Sequence, residues 1–173
     1  FYPGALTYLG KLARETDYRL VLVSNQDGLG TERYPREKFT EVHAHIMRTY
    51  AGEGIHFAEE CIDSSTAEHP APTRKPGTAM LEHYRYGRYD MARSAVIGDR
   101  LSDVELARNM GCRAILLRDD PSSGAELSTP DWAEVYRYLK DQYSSAEVVR
   151  QTRETRVSVK LQLLGKGRTE ISN

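Results

Sequence analysis

The stretch SAVIGDRLSDVELARNMGCRAILLR (94–118) reads as strand, helix, strand. SAVIG (94–98) is a short apolar run that ends on Gly98-Asp99. Ser102 and Glu105 have capping-box spacing, and Val104, Ala107 and Met110 recur on one helical face. RAILL (113–117) is a continuous apolar run of the kind buried on both faces of a parallel sheet. Two such runs joined by one helix make a crossover unit, whose ligands gather at the carboxyl ends of the strands.

The same grammar continues outward. RLVLVS (19–24) is a second buried-strand run, and FAEECI (57–62) a weaker one. Residues 5–14 carry Ala5, Leu6, Leu9, Leu12 and Ala13 at helical spacing. Phe39, Val42, Ile46 and Met47 mark one face of a helix that ends near Gly52 and Gly54. SSTAEHPAPTRKPG (64–77) is a loop by composition, with Pro76 placed to open the next helix. A further helix covers Trp132–Lys140. The expected fold is a doubly wound, mostly parallel α/β sheet with helices on both faces. After Tyr143 the texture changes: Val157, Val159, Leu161 and Leu163 alternate with period two before a Gly-Lys-Gly turn and a short strand. That predicts a C-terminal β-hairpin, with residues 1–143 as one domain and 144–173 as the opening of another.

Composition narrows the class. Lys plus Arg total 24 and Asp plus Glu 25 in 173 residues, so charge gives no footing for nucleic acid or an acidic membrane. Two cysteines make no disulfide framework, and Cys112 reads as a buried thiol. A cytoplasmic protein with no nucleic-acid or membrane partner is expected. His43, His45, His56 and His83 fall on surface or helix faces.

Three polar segments follow strands or precede helices. Asp99 and Asp103, four residues apart, can hold one hard cation such as Mg²⁺, although acidic residues at a helix start are also ordinary caps. Ser24 ends its strand and offers a hydroxyl and the following N–H groups, Asn25's included, to a phosphate oxygen. Lys75 precedes Pro76, so a cation and a helix N-terminus would face one anion, and Arg74 would reach a second substrate group.

The order Ser24, Lys75, Gly98-Asp99 resembles the second, third and fourth motifs of the haloacid dehalogenase superfamily of phosphotransferases. SNQDGLGTERYP, TRKPGTAML, IGDRLSDVELARNMGCRAI and VVRQTRETRVSV are together similar to one branch. That branch is the bifunctional histidine-biosynthesis enzymes, which fuse histidinol-phosphate phosphatase to imidazoleglycerol-phosphate dehydratase. The resemblance implies hydrolysis of a small phosphate ester, L-histidinol phosphate. Ser24 and Lys75 would bind the phosphoryl group, Asn25 and Arg74 the substrate, and Asp99 the Mg²⁺. Asp103 would either ligate through water or position the lysine. A sugar phosphatase acting on heptose bisphosphate shares SNQ and RKP, and an inactive module is the third reading.

The resemblance also implies departures. The family's Asp-x-Asp-Gly-Thr segment, nucleophile and central strand together, is absent from a chain that begins at Phe1. The chain by itself is therefore expected to be inactive. The strands around Val23 and Ile97 are expected to flank a vacant slot or to collapse together. Relatives often carry Cys-x-His and Cys-x-Cys before the Arg-Lys. Here Cys61, Asp63 and His69 make a poor tetrahedral set, so zinc is not expected. Mn²⁺ would belong only to the dehydratase part, through which the whole protein would form a homo-oligomer.

Overall fold

The structure, a computed structural model, describes the backbone of residues 1–151 and 156–162 and the side-chain surroundings of residues 1–145. In chain order the elements are α1 (Ala5–Glu15), β1 (Val21–Asn25), α2 (Arg36–Gly52), β2 (Glu59–Asp63), α3 (Glu82–Arg85) and β3 (Ala95–Gly98). Then follow α4 (Leu101–Met110), β4 (Arg113–Leu116), β5 (Leu127–Ser128), α5 (Trp132–Ser144), β6 (Ser145–Gln151) and β7 (Arg156–Gln162). Strand β1 pairs in parallel with β2, and β3, β4 and β5 form a second parallel sheet.

Strand β4 shows why helices cover both faces. Its side chains alternate, as a period of two requires. Ile115 and the following Leu117 turn toward Leu9 and Leu12 of α1 and Trp132, Val135 and Leu139 of α5. Ala114 and Leu116 turn the other way, onto Val104 and Ala107 of α4. A further row on α4, Leu106 and Met110, meets Cys61 and Leu81, with Val21 and Val23 of β1 against it. Leu20, Phe57 and Ile97 lie against the α1–α5 layer. The two sheets are thus joined by apolar layers above and below.

They are not joined by backbone, for β1 and β3 are not hydrogen-bonded to each other. Ladder parity identifies the edges. In β1, Leu20 accepts from Ala58, and Gln26 donates to Asp63, so even-numbered groups face β2 and Val21, Val23 and Asn25 face away. In β3, Ser94 and Gly98 accept from Arg113 and Leu117, leaving Ala95 and Ile97 on the opposite side. Of the two arrangements expected from the sequence, the unpaired one is observed. Burial follows: β1 and β3 are half-buried throughout, whereas Ala114, Ile115 and Leu116 of β4 are at most 1% exposed. The expectation that RLVLVS is buried on both faces is corrected accordingly.

Three further expectations change. No helix begins at Pro76; residues 72–81 run as successive turns and α3 starts only at Glu82, because Gly77 and Leu81 close turns onto Arg74 and Thr78. The start of α4 is not capped by Ser102 and Glu105: Asp103 at its third position accepts the Arg100 N–H at 3.0 Å. A hairpin other than the expected one is observed: its arms are β6 and β7, so Val157–Leu161 lies in the second arm and pairs upstream. The Gly-Lys-Gly turn lies outside the described residues. The break in texture near Tyr143 falls where α5 gives way to β6. Helix α2 has no fully buried residue, and Val42 is 60% exposed. Among the described residues no helix is long and apolar enough to cross a membrane.

These burials separate two substitutions. Leu106→Ala, at a side chain 0% exposed, is expected to lower unfolding free energy by about 2–5 kcal/mol. Val42→Ala should stay within about 0.5 kcal/mol. Urea unfolding followed by circular dichroism checks both, and similar losses would contradict the layer assignment.

Candidate active site

The carboxyl ends of β1 and β3 are bridged by one side chain. Lys75 Nζ donates to the Val23 carbonyl at 3.1 Å and to Asp103 Oδ1 at 2.7 Å. The first contact uses a carbonyl on the open edge of β1; the second reaches the first turn of α4, just beyond β3 and Asp99. Asp103 is buried and Lys75 partly so, at 5% and 16% side-chain exposure. A cation so placed needs a carboxylate partner, and removing one partner leaves an uncompensated charge.

Both ends of that bridge are held in turn. Asn25 clamps the Lys75 backbone, its Oδ1 accepting the Lys75 N–H at 3.0 Å and its Nδ2 donating to the Lys75 carbonyl at 3.1 Å. The Lys75–Pro76 peptide is cis. Asp103 Oδ2 accepts from the Arg100 N–H, so both carboxylate oxygens are engaged. Gly98 makes room for this: a Cβ there would lie 2.1 Å from Asp103 Oδ2. Strand β3 can therefore run directly beneath the carboxylate only because residue 98 lacks a side chain.

The remaining expected residues lie around the bridge. Ser24 Oγ accepts from Gln26 Nε2 at 2.8 Å, which leaves its own O–H to donate. Asp99 is exposed and contacts the Tyr2 hydroxyl at 3.3 Å. Arg74 forks onto Asp27, at 2.6 and 3.0 Å, and also donates to the Ser65 carbonyl at 2.6 Å. The Arg74 guanidinium holds the Asp27 carboxyl below the usual carboxylate range. Asp27 also lines an open cavity of about 520 Å³ with Gly28, Thr31, Glu32, Arg33 and Tyr34.

Asp63, weighed from the sequence only as a zinc ligand, has a different place in the structure. This buried carboxylate at the end of β2 accepts from the Ser65 N–H at 2.9 Å, Ser65 Oγ at 2.5 Å and Thr73 Oγ1 at 2.5 Å. Burial pushes its pKa up, but the Ser65 and Thr73 hydroxyls outweigh that and hold it below the usual range. An acidic residue closing a strand before Ser-Ser-Thr is the pattern of a local side-chain-to-backbone turn, and that signal was present. Cys61 is buried, and its thiol is pushed up to about 11 by burial and by Glu59. His69 is exposed. Among the described residues no three His, Cys, Asp or Glu side chains converge as a metal site. For Mg²⁺ the fit is different, since that ion takes one or two carboxylates plus waters and phosphate, and Asp99 supplies one outward carboxylate.

Comparison with known proteins agrees with this architecture. Residues 72–142 match the family model described as HAD-hydrolase-like. The D,D-heptose 1,7-bisphosphate phosphatase of B. bronchiseptica, solved with magnesium and phosphate, superposes with a TM-score of 0.66 at 24% identity. That match covers 79% of this chain and 82% of the other. The fold is HAD-like.

Closer in sequence are curated proteins named histidine biosynthesis bifunctional protein HisB. The one from Spirosoma linguale is 40% identical over 99% of this chain and 49% of its own length. The one from Bacteroides fragilis (strain ATCC 25285) is 45% identical over 99% and 48%. The chain is similar to these proteins along nearly all of its length and spans about half the length of the curated relatives it matches.

The Lys75–Asp103 pair gives a direct stability test. Asp103→Ala is expected to cost about 3–5 kcal/mol in urea unfolding, because Lys75 would lose its carboxylate partner in a largely enclosed position. Gly98→Ala should cost about 1–3 kcal/mol by forcing the carboxylate away. A loss under about 1 kcal/mol for Asp103→Ala would mean that water screens the pair.

Proposed function

We propose that this chain forms the phosphate-binding and cation-holding part of a phosphomonoesterase that hydrolyses L-histidinol phosphate to L-histidinol and phosphate in histidine biosynthesis. The observation that carries the reading is the Lys75 bridge, which sets an ammonium between the strand ends bearing Ser24 and Asp99. Support for the substrate comes from the bifunctional relatives, whose similarity extends along 99% of the chain.

In this reading the Ser24 O–H donates to one phosphoryl oxygen and Lys75 neutralises another. Asn25, by gripping the Lys75 backbone, is a positioning residue rather than a direct substrate contact. Asp103, 2.7 Å from Lys75 Nζ, aims the lysine, which favours positioning over its other expected role. Arg74 meets the rest of the substrate from beside Asp27. Asp99 would hold Mg²⁺, which when bound supplies positive charge for the transferring phosphoryl group. Preorganised charge of this kind is the main source of acceleration in phosphoryl transfer. The attacking carboxylate is not among these residues; the reading assigns it to an Asp-x-Asp-Gly-Thr segment of the complete gene product, with an aspartyl-phosphate intermediate. Residues 144–173 are assigned to the opening of the dehydratase-like partner domain, and two unpaired cysteines suit a reducing cytoplasm.

In the complete gene product, Lys75→Ala should lower kcat on L-histidinol phosphate by about 10²–10³-fold, the scale for one preorganised donor. Asp99→Asn should shift the Mg²⁺ titration to much higher concentration. Steady-state phosphate release checks both, with heptose bisphosphate run beside histidinol phosphate. Turnover within a few-fold of the unmodified enzyme, or an unchanged Mg²⁺ titration, would remove the corresponding role. Faster hydrolysis of the heptose ester would replace the substrate.

A further inference from the structure

We propose that Asp63 is a positioning residue of this site: its buried carboxylate closes the 64–73 loop and thereby sets where Arg74 and Lys75 stand. The proposal takes its consequence for anion binding from the phosphatase reading; its geometry is independent of it.

One carboxylate grips both ends of the loop. Oδ1 takes the N–H and hydroxyl of Ser65, and Oδ2 takes the hydroxyl of Thr73. Ser65 passes the constraint on, its Oγ accepting from the Ala71 N–H at 3.0 Å and its carbonyl accepting from Arg74 Nη1 at 2.6 Å. The backbone of Asp63 is fixed as well, its carbonyl accepting from the Gln26 N–H at 2.7 Å, two residues beyond Ser24. Arg74 follows Thr73 directly, and its guanidinium is forked onto Asp27 with 12% of the side chain exposed. Lys75 is next, gripped by Asn25.

A loop whose two ends are held by three charge-assisted hydrogen bonds has little freedom left at Arg74, so the carboxylate acts through Thr73 and Ser65 on residues it does not touch. Any loss of those bonds returns the loop to many conformations, and Arg74 must then pay ordering entropy when an anion binds. The role belongs to a carboxylate because its two oxygens accept from three donors at once, which a hydroxyl or a single carbonyl cannot match in this geometry.

The test uses the chain itself in Mg²⁺ buffer, with inorganic phosphate as the probe. Three proteins are compared: unmodified, Asp63→Ala and Thr73→Val. The Arg74 guanidinium Nη–H signals, identified by their disappearance in Arg74→Lys, report the fork onto Asp27, and calorimetric titration reports phosphate affinity. In folded Asp63→Ala the Arg74 signal is expected to shift and broaden through exchange with water, and phosphate affinity to fall by about 10-fold or more. In Thr73→Val, which deletes one donor at constant volume, affinity should fall by about 5-fold. An Arg74 signal unmoved in both variants, or affinity within two-fold of unmodified in both, overturns the proposal. If Asp63→Ala does not fold, Thr73→Val decides by the same two readouts. If the unmodified chain binds no phosphate, the phosphatase reading fails, while the Arg74 signal still decides the role of Asp63.

Discussion

A single ammonium ties the halves of this molecule together at its functional end. Lys75 reaches the open edge of β1 through the Val23 carbonyl and the start of α4 through Asp103. Among the described residues no backbone ladder connects those halves, and this contact aligns the two strand ends. Asp103 is buried and Lys75 largely enclosed, and such a pair holds only while each charge has its partner and its remaining bonds are satisfied. Arg100 completes the carboxylate side, Asn25 fixes the lysine backbone, and Gly98 leaves the space in which the carboxylate lies.

The apolar layers set the distance that the lysine spans. Helix α4 shows one row, Val104 and Ala107, to the β3–β4–β5 sheet, and another, Leu106 and Met110, to the side of β1 and β2. One helix is thereby wedged against both sheets, and its first turn carries Asp103 to the junction. Such a division of a helix surface needs apolar residues over a wide arc, and α4 has them. The half-exposed state of β1 and β3, against the full burial of β4, is the signature of sheet edges that face one another without pairing.

Much of this was legible in the sequence. The unbroken apolar run Ala114, Ile115, Leu116 and Leu117 announces a strand covered on both faces, and the row Val104, Ala107, Met110 announces the helix over it. Ser24 and Asp99 could each be placed at a strand end from the apolar runs beside them. What could not be read was decided by contacts distant in sequence. Pro76 has the local character of a helix start, yet the turns closed by Gly77 and Leu81 carry the chain on to Glu82. Phe39, Val42 and Ile46 have core periodicity, but nothing in the described residues covers Val42. The fork of Arg74 onto Asp27 spans 47 positions and leaves no periodic trace. Asp63 had a local signal, obscured because its neighbours suggested metal ligation.

The central claim is that one anion sits where the two strand ends meet. A crystal structure of the chain grown with Mg²⁺ and tungstate, a phosphate mimic with strong anomalous scattering, tests it most directly. The account predicts tungstate within hydrogen-bond reach of both Ser24 Oγ and Lys75 Nζ, with Mg²⁺ on Asp99. Tungstate bound elsewhere, with Lys75 still closed onto Val23 and Asp103 and no cation at Asp99, would contradict it.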